Sequence, residues 1–550
     1  MLLARRLAPS LNRATDILAL GTSLGLALFS MVGFVIGWAL GLSPATVALS
    51  AGVVVAAGFL LGATEGLSGA LRSLLQIPRG PLMLALFAIV LTFQISDRVL
   101  IETPEGGIAT GNRHNYGDLP FHMGVAAGFA YGDNFPPMHP ELAGVALTYP
   151  FLSDVLSAML VRSADSWRQA FFWPTFVLGL CVLPALTRFC EAGTGSWPLG
   201  RGAAALTLFS GGLGFLRLFE PGGFEAWRAG GPDFTIAETG MKYANFVVTM
   251  LVPQRAILFG WPLLFFALSL MVEAQEKSDG GEGAATAARG FTAAGFLLSL
   301  LPLVHSHSFL AGALCAAVLA AGAGRASWFA LVRSGAPLAV PALLFMAARN
   351  SLATSRFFEW APGFDGGRAN PLLFWWNNAG VFLPLAAAGI LLIRPARLRR
   401  LALTFAALFV AANLFRLSPW IWDNMKFLAP AHAGLAPFAA AALGNLWGRR
   451  LGGKALATGF FVAGIASGAL DVSRLLDGPQ FNLFSADDLT FARAIRDETP
   501  PSLTILTGGP HNHPVLLTGR RQYLGYEGQL WSQGFEYAGR KAAVESVFSG

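Results

Sequence analysis

No charged residue occurs between Asp16 and Glu65. Soluble domains are about one-quarter charged, so a stretch like this cannot belong to one. A helix crosses a bilayer with about 20 apolar residues. Ile17–Leu40 meets that length and lacks the small-residue cleavage pattern of a removable signal peptide. The remainder has the same character: 54% hydrophobic and 13% charged, with mean hydropathy +0.56. The chain is therefore a polytopic α-helical membrane protein. Thirteen spans, give or take two, are expected near 17–40, 44–63, 81–96, 170–187, 202–216, 256–274, 290–304, 308–323, 335–348, 379–393, 401–415, 427–446 and 455–470. Cys181, Cys190 and Cys315 lie in or beside apolar runs and read as small hydrophobes. The net charge of +7 is scattered over short loops, which implies topology and no nucleic-acid partner. The Ala, Gly and Arg usage suggests a bacterium with GC-rich DNA.

Orientation follows from the excess of Lys and Arg in cytoplasmic loops. With Arg5, Arg6 and Arg13 inside, the loops carrying Arg72/Arg79, Arg188/Arg201, Lys277/Arg289, Arg325/Arg333, Arg394–Arg400 and Arg449–Lys454 also fall inside. Residues 97–169, 217–255, 349–378 and the tail 471–550 then fall outside, as expected for a cell (inner) membrane protein. This requires that Ala143–Val161 does not cross, so Leu119–Tyr131 and Ala143–Val161 read as helices lying along the outer surface or dipping into it, with a true crossing by Ala143–Val161 as the alternative. Residues 1–470 form the transmembrane domain. Residues 471–550 read as a small α/β unit, with strand composition at Ser502–Thr507 and again at Pro514–Gly519, and a helix over Phe535–Phe548. A further strand is expected after that helix. The Gly/Ala-rich loop 279–290 reads as a flexible cytoplasmic linker.

Within this apolar chain, Gly111–Pro150 gathers His114, His122, His139, Asp118, Asp133 and Glu141. Unpaired charge in hydrocarbon costs several kcal/mol, so the segment must meet water or line a polar cavity. Asp118 and His122 are four residues apart at the start of a helix and share a face. Asp118 could simply cap that helix, ahead of Pro120 in its first turn. It could equally be a general base with His122 beside it, and Asp133 would be a second carboxylate on the same cavity, or a plain turn residue at Asn134-Phe135-Pro136-Pro137. His305 and His307 suit a phosphate or a sugar hydroxyl. Trp420, Trp422, Asp423, Lys426 and Trp376 lie at expected outer helix ends, where Trp anchors membranes but where rings beside amides and carboxylates also bind sugars. Arg255, Arg349, Arg356 and Arg416 lie near the same ends, where an arginine either holds a lipid phosphate or anchors to headgroups. His511 and His513 could pair on a metal, yet no third ligand stands at standard spacing, and no metal site is expected. No P-loop, HExxH, GxSxG or dinucleotide fingerprint occurs.

Asp118-Leu-Pro-Phe-His122, followed by Asn134-Phe-Pro-Pro and Gly144…Tyr149-Pro150, resembles a bacterial branch of the GT-C integral-membrane glycosyltransferases. So does the tail, from Ile505-Leu-Thr through His511-Asn and Gly519-Arg to Gly525-Tyr…Leu530-Trp. The resemblance implies inverting transfer from a polyprenyl-phosphate sugar to a glycan, lipid or protein hydroxyl on the outer face. It implies that Asp118 deprotonates the acceptor, with His122 and Asp133 as further catalytic residues. His114, His305, His307, Arg255, Trp376, Trp422, Asp423 and Lys426 are expected around the substrates. This chain has Gly117-Asp118-Leu119 where the commoner members carry an acidic pair, so Asp97, Glu102 and Glu105 compete with Asp118 as base. No motif demands a cofactor, although outer acids are compatible with a divalent cation. Two other readings share these features: a transporter or flippase of lipid-linked glycans, and a glycan-assembly protein without transferase activity. Transporters commonly show repeats and charges within spans, and neither is evident here.

Cysteine labelling tests the orientation. In intact cells an impermeant thiol reagent should reach a cysteine placed within 217–255 and miss one placed within 394–400. Labelling within 394–400 would reverse the topology.

Overall fold

The computed structural model describes the chain except residues 62–78, 238–239, 350–357, 368, 510 and 550, with backbone alone at 79–82 and 282. Arg72 and Arg356 lie outside the described residues, as does the side chain of Arg79.

A helix underlies every expected span. Nine described helices are long and apolar enough to cross a membrane, or up to eleven if each of two bent pairs counts as one span. The helices Arg79–Asp97 and Ala396–Leu414 underlie the remaining two expected spans. Arg255–Gly281 is the hub, with 94% of its apolar window buried, whereas Pro44–Leu61 and Arg325–Ala348 are only 11% buried and turn most of their side chains outward. Large apolar side chains exposed there suit lipid, not water.

Two expected spans are broken. In place of 202–216, Trp197–Leu208 bends by 69° into Leu213–Phe219, and ahead of 379–393, Pro371–Ala379 meets Phe382–Leu392 at 93°. The breaks pack on each other. A Cβ at Gly212 would collide with the Asn377 carbonyl, and Gly380, at φ 55°, takes a left-handed backbone that side chains disfavour. Asn378 holds the second break by accepting from the backbone N–H groups of Lys242 and Tyr243 at 2.7 and 2.9 Å.

Polar contacts gather the loops at two ends. At one, Arg13 binds Glu191, Arg188 binds Glu273, and Arg397 binds Glu276 and Asp279. At the other, Arg168 pairs with Asp97, His114 with Asp233, Lys242 with Asp365, Arg416 with Glu359, and Arg474 with Asp233. These are the sets that the charge rule separates into inside and outside.

The helix Asn115–Tyr131 follows the expected Leu119–Tyr131 closely. The second differs: Ala143–Phe151 is irregular, and the helix runs only over Leu152–Ala164. Gly144, at φ 80°, and Pro150 explain the late start. Its 13 residues span only about 20 Å, short of the roughly 30 Å hydrocarbon layer. Both helices are mostly buried: Asn115–Tyr131 packs on the tail and on Leu152–Ala164, which in turn packs on the bundle.

The last span runs on to Asp477, past the expected boundary at 471. The tail is then stitched into the first loop. Phe481–Phe484 pairs antiparallel with Ile108–Thr110, which pairs with Ile101–Glu102. Thr504–Ile505 pairs parallel with Arg521–Gln522. Pro514–Thr518 is a 3-10 turn, not a strand, because the His513 ring accepts from the Val515 N–H and Gly519 closes it left-handed. Ala538–Phe548 is the expected terminal helix. The tail's small core combines Leu524, Leu530, Phe535 and Val544 with Leu142 and Val145 of the first loop.

Glu141 lies in that junction. Its carbonyl accepts from the Gly525 N–H at 2.7 Å, while one carboxyl oxygen is buried with no partner among the described residues. Burial pushes its pKa from 4.5 up to about 8. A raised acid is bound as the neutral form when folded, so its stability contribution is present below about pH 4.5 and is lost as pH rises through about 8. The thermal midpoint should fall between pH 6 and 9, at up to about 1.4 kcal/mol per pH unit from this group, and Glu141→Gln should flatten the decline. An unchanged decline in the variant contradicts the assignment.

Candidate active site

Five helices begin close together at the expected outer end: Asn115–Tyr131, Leu152–Ala164, Arg255–Lys277, Ser306–Ala323 and Met425–Trp447. Each contributes polar side chains at or next to its start, and these meet one another. Helix N-termini carry partial positive charge and unpaired N–H groups, so their convergence favours an anion.

Asp118, in the first turn of its helix, accepts from Gln254 Nε2 at 2.9 Å, and Gln254 Oε1 accepts from the Tyr149 hydroxyl at 3.2 Å. Asp118 Oδ1 has no hydrogen-bond partner among the described residues. Desolvation raises the Asp118 pKa above the usual carboxylate range; His122, Lys426 and His114 pull it back and Asp423 pushes it further up. Asp118 and His122 share a helix face but have separate partners. His122 Nδ1 lies 3.0 and 3.1 Å from the two oxygens of Asp154. Asp154 is fully buried, and Arg255 Nη1 lies 3.5 Å from its Oδ1, the oxygen that His122 also approaches. The Arg255 guanidinium also packs 4.1 Å over the Phe171 ring. With a carboxylate on Nδ1, that nitrogen carries the proton and Nε2 is the nitrogen left for a ligand.

Lys426 closes the opposite side. Its ammonium binds Asp423 at 3.0 Å and lies 5.9 Å over the Tyr149 ring. The His305 and His307 rings are 5.4 Å apart, and His307 packs 4.9 Å from Phe427, next to Lys426. His305 caps its helix by accepting from the Ser308 N–H. Trp422, adjoining Asp423, packs 5.2 Å from Trp420.

The structure thus brings together Asp118, His122, Arg255, His305, His307, Asp423 and Lys426, with Trp422 alongside. Three expected members lie elsewhere. His114 turns to Asp233, with Nε2 2.9 Å from the carboxylate. Asp133 follows the far end of the Asn115–Tyr131 helix and lines a separate cavity of about 800 Å³ with Arg162, Asp165 and Arg496. Trp376 is exposed on Pro371–Ala379 and makes no contact with the cluster among the described residues. Of the competing acids, Asp97 is ion-paired to Arg168 at the rim, and Glu102 and Glu105 lie in or beside the first strand. His139 is buried against Gln533, and His511 stacks on Tyr116 at 4.7 Å. No group of three or more His, Cys, Asp or Glu among the described residues is placed to hold a metal ion.

Sequence reasoning did not single out Asp154, Gln254 or Tyr149 as members of the site. Asp154 carried a usable signal, because it is the one acid inside the apolar stretch Ala143–Val161. Tyr149 stands in the Gly144…Tyr149-Pro150 motif without a role attached to it, and Gln254 carried no signal beyond standing next to Arg255.

No family model and no curated protein matches this chain. Among solved structures it is similar to the Archaeoglobus fulgidus oligosaccharyltransferase tethered to an acceptor peptide containing the NVT sequon, at 14% identity and a TM-score of 0.46, covering 80% of this chain and 64% of that one. It is also similar to the archaeal oligosaccharyltransferase AglB from Archaeoglobus fulgidus in complex with an inhibitory peptide and a dolichol-phosphate, at 13% identity and a TM-score of 0.40, covering 82% and 65%. This chain therefore spans just under two-thirds of the length of either. A likeness of that degree assigns no activity to the chain.

Proposed function

We propose that the chain is an inverting glycosyltransferase that moves a sugar from a polyprenyl-phosphate donor to a hydroxyl acceptor on the outer face of the cell membrane. Its N-terminus is cytoplasmic and its tail is outside. The observation that carries this reading is the pairing of two features in one cluster: a desolvated carboxylate, Asp118, and an anion-favouring nest of helix N-termini with Lys426 and His122. A lipid-phosphate donor cannot leave the bilayer, so its reacting phosphate must be met at the ends of spans.

The acceptor hydroxyl gives its proton to Asp118 as its oxygen bonds to the anomeric carbon. The bond from that carbon to the phosphate oxygen breaks, and the lipid phosphate leaves with the electron pair. Gln254 holds Oδ2 of Asp118 and leaves Oδ1 for the acceptor. Lys426, His305 and His307 stabilise the departing phosphate together with His122 as an imidazolium, which keeps Nδ1–H on Asp154 and donates Nε2–H to the phosphate, in a site where preorganised charge counts for more than in water. A single displacement inverts the anomeric centre. Asp154 acts at one remove, by fixing the His122 ring and balancing Arg255.

Asp133 is a poor alternative base. It lies about 20 Å along the helix from Asp118, by the helical rise over the intervening residues. No step needs a cofactor, and chelation of divalent cations tests whether one helps to shield the leaving phosphate. A flippase would use the same nest without a base.

The test is transfer by purified protein in nanodiscs from a polyprenyl-phosphate sugar to candidate glycan, lipid and peptide acceptors. Asp118→Asn should lower kcat by about 10²–10⁴-fold with the donor KM little changed. Transfer that survives moves the base to Asp97 or Asp133. Flipping without transfer supports the transporter reading. The acidic limb of the wild-type rate profile should rise with pH through a midpoint above the usual carboxylate value, because the base works only when ionised and desolvation raises its pKa. A midpoint at the unperturbed value contradicts Asp118 as the titrating group.

A further inference from the structure

Three indoles meet at the junction of bundle and tail. Trp420 and Trp422 precede the Met425–Trp447 span, with ring centroids 5.2 Å apart and planes inclined at 30°. Trp531 comes from the tail helix Glu527–Ser532, and its ring lies 6.0 Å from Trp420. Trp531 remains 53% exposed and Trp420 38% exposed, so contact with each other does not exhaust their faces.

Trp at a helix end is commonly a membrane anchor. Trp531 does not fit that role, because the chain has already left its last span at Asp477 and has folded against the first loop. Two hydrogen-bond donors beside the indoles are also unused. Among the described residues, Trp422 Nε1 and Gln533 Nε2 are both buried without an acceptor, while Gln533 Oε1 lies within hydrogen-bonding distance of His139 Nε2 at 3.2 Å. Buried donors are almost always satisfied in a working protein, and here the missing partners are acceptors next to exposed aromatic faces. Hydroxyl oxygens on a ring with apolar C–H faces meet both demands. Asp423 follows Trp422 directly and binds Lys426, so the indoles adjoin the reacting cluster.

The geometry points to Trp420, Trp422 and Trp531 as an acceptor platform, and to the acceptor being itself a glycan. This rests on the transferase reading above and narrows it. A sugar ring packs on the indoles, Trp422 Nε1 and Gln533 Nε2 donate to its hydroxyls, and the reactive hydroxyl reaches Asp118. The tail thereby contributes substrate contacts in addition to covering the first loop.

Saturation-transfer NMR with cellotriose, chitotriose and maltotriose tests the platform on full-length protein in nanodiscs. Ring C–H protons of at least one trisaccharide should be saturated in the wild type. Trp531→Ala should weaken the signal by about threefold to tenfold, Trp531→Phe should retain most of it, and Trp447→Ala, at the opposite end of its helix, should leave it unchanged. In the transfer assay Trp531→Ala should raise the acceptor KM by a similar factor and leave the donor KM alone. Equal signals from wild type and Trp531→Ala, or none with any of the three sugars, overturn the platform. Saturation lost on mutation in a protein that transfers nothing keeps the platform and removes the transferase.

Discussion

The Asp154 carboxylate has no exposure to solvent, and a buried charge without a partner is strongly destabilising. Its partners come from two other elements: His122 from the preceding helix and Arg255 from the start of the central span. Three segments far apart in sequence are thereby fixed to one point. The same contact orients His122 and holds the first turn of its helix, which carries Asp118, near Gln254. Removing Arg255 would leave the buried Asp154 carboxylate with His122 as its remaining side-chain partner among the described residues. Removing Asp154 would leave an unpaired guanidinium.

Around that point the arrangement follows from the bilayer. Helices must satisfy their own backbone groups in lipid, so irregular backbone gathers at their ends. The starts of five helices supply N–H groups and polar side chains there, and the loops between them close over the site. The tail completes the cover. Its core includes Leu142 and Val145 of the first loop, and Arg520 donates to the Tyr131 carbonyl at the end of the first short helix.

Much of this was legible in the sequence, for physical reasons. Most apolar runs became continuous helices because length and hydropathy suffice in lipid, whereas the runs at 202–216 and 379–393 adjoin breaks and Ala143–Phe151 stayed irregular. The charged loops sorted to two ends because lysine and arginine placement is a property of single segments. The site was legible in part. Asp118 and His122 lie on one helix face, as a spacing of four dictates, but their separate partners, Gln254 and Asp154, come from distant segments that spacing cannot reveal. His114 lies one residue before that helix, and its direction is set by Asp233 in a later loop. Asp133 follows Gly132 in a left-handed turn, at φ 45°, which carries it away from the cluster. The expected strand at Pro514–Gly519 failed because a histidine cap and a left-handed glycine decide a short segment more strongly than strand composition.

In the proposed reaction, converging helix N-termini, with Lys426 and His122, form a site for a lipid phosphate. Direct binding of an unglycosylated polyprenyl phosphate to the nanodisc-embedded protein, followed by its phosphorus NMR shift, measures this without any acceptor. A saturable shift is expected, retained in Asp118→Asn and with affinity weakened about tenfold or more in Lys426→Ala and His122→Ala, since charge-assisted contacts to phosphate are each worth roughly 1.5–3 kcal/mol. A shift that is absent in the wild type, or unchanged in both of those variants, would contradict it.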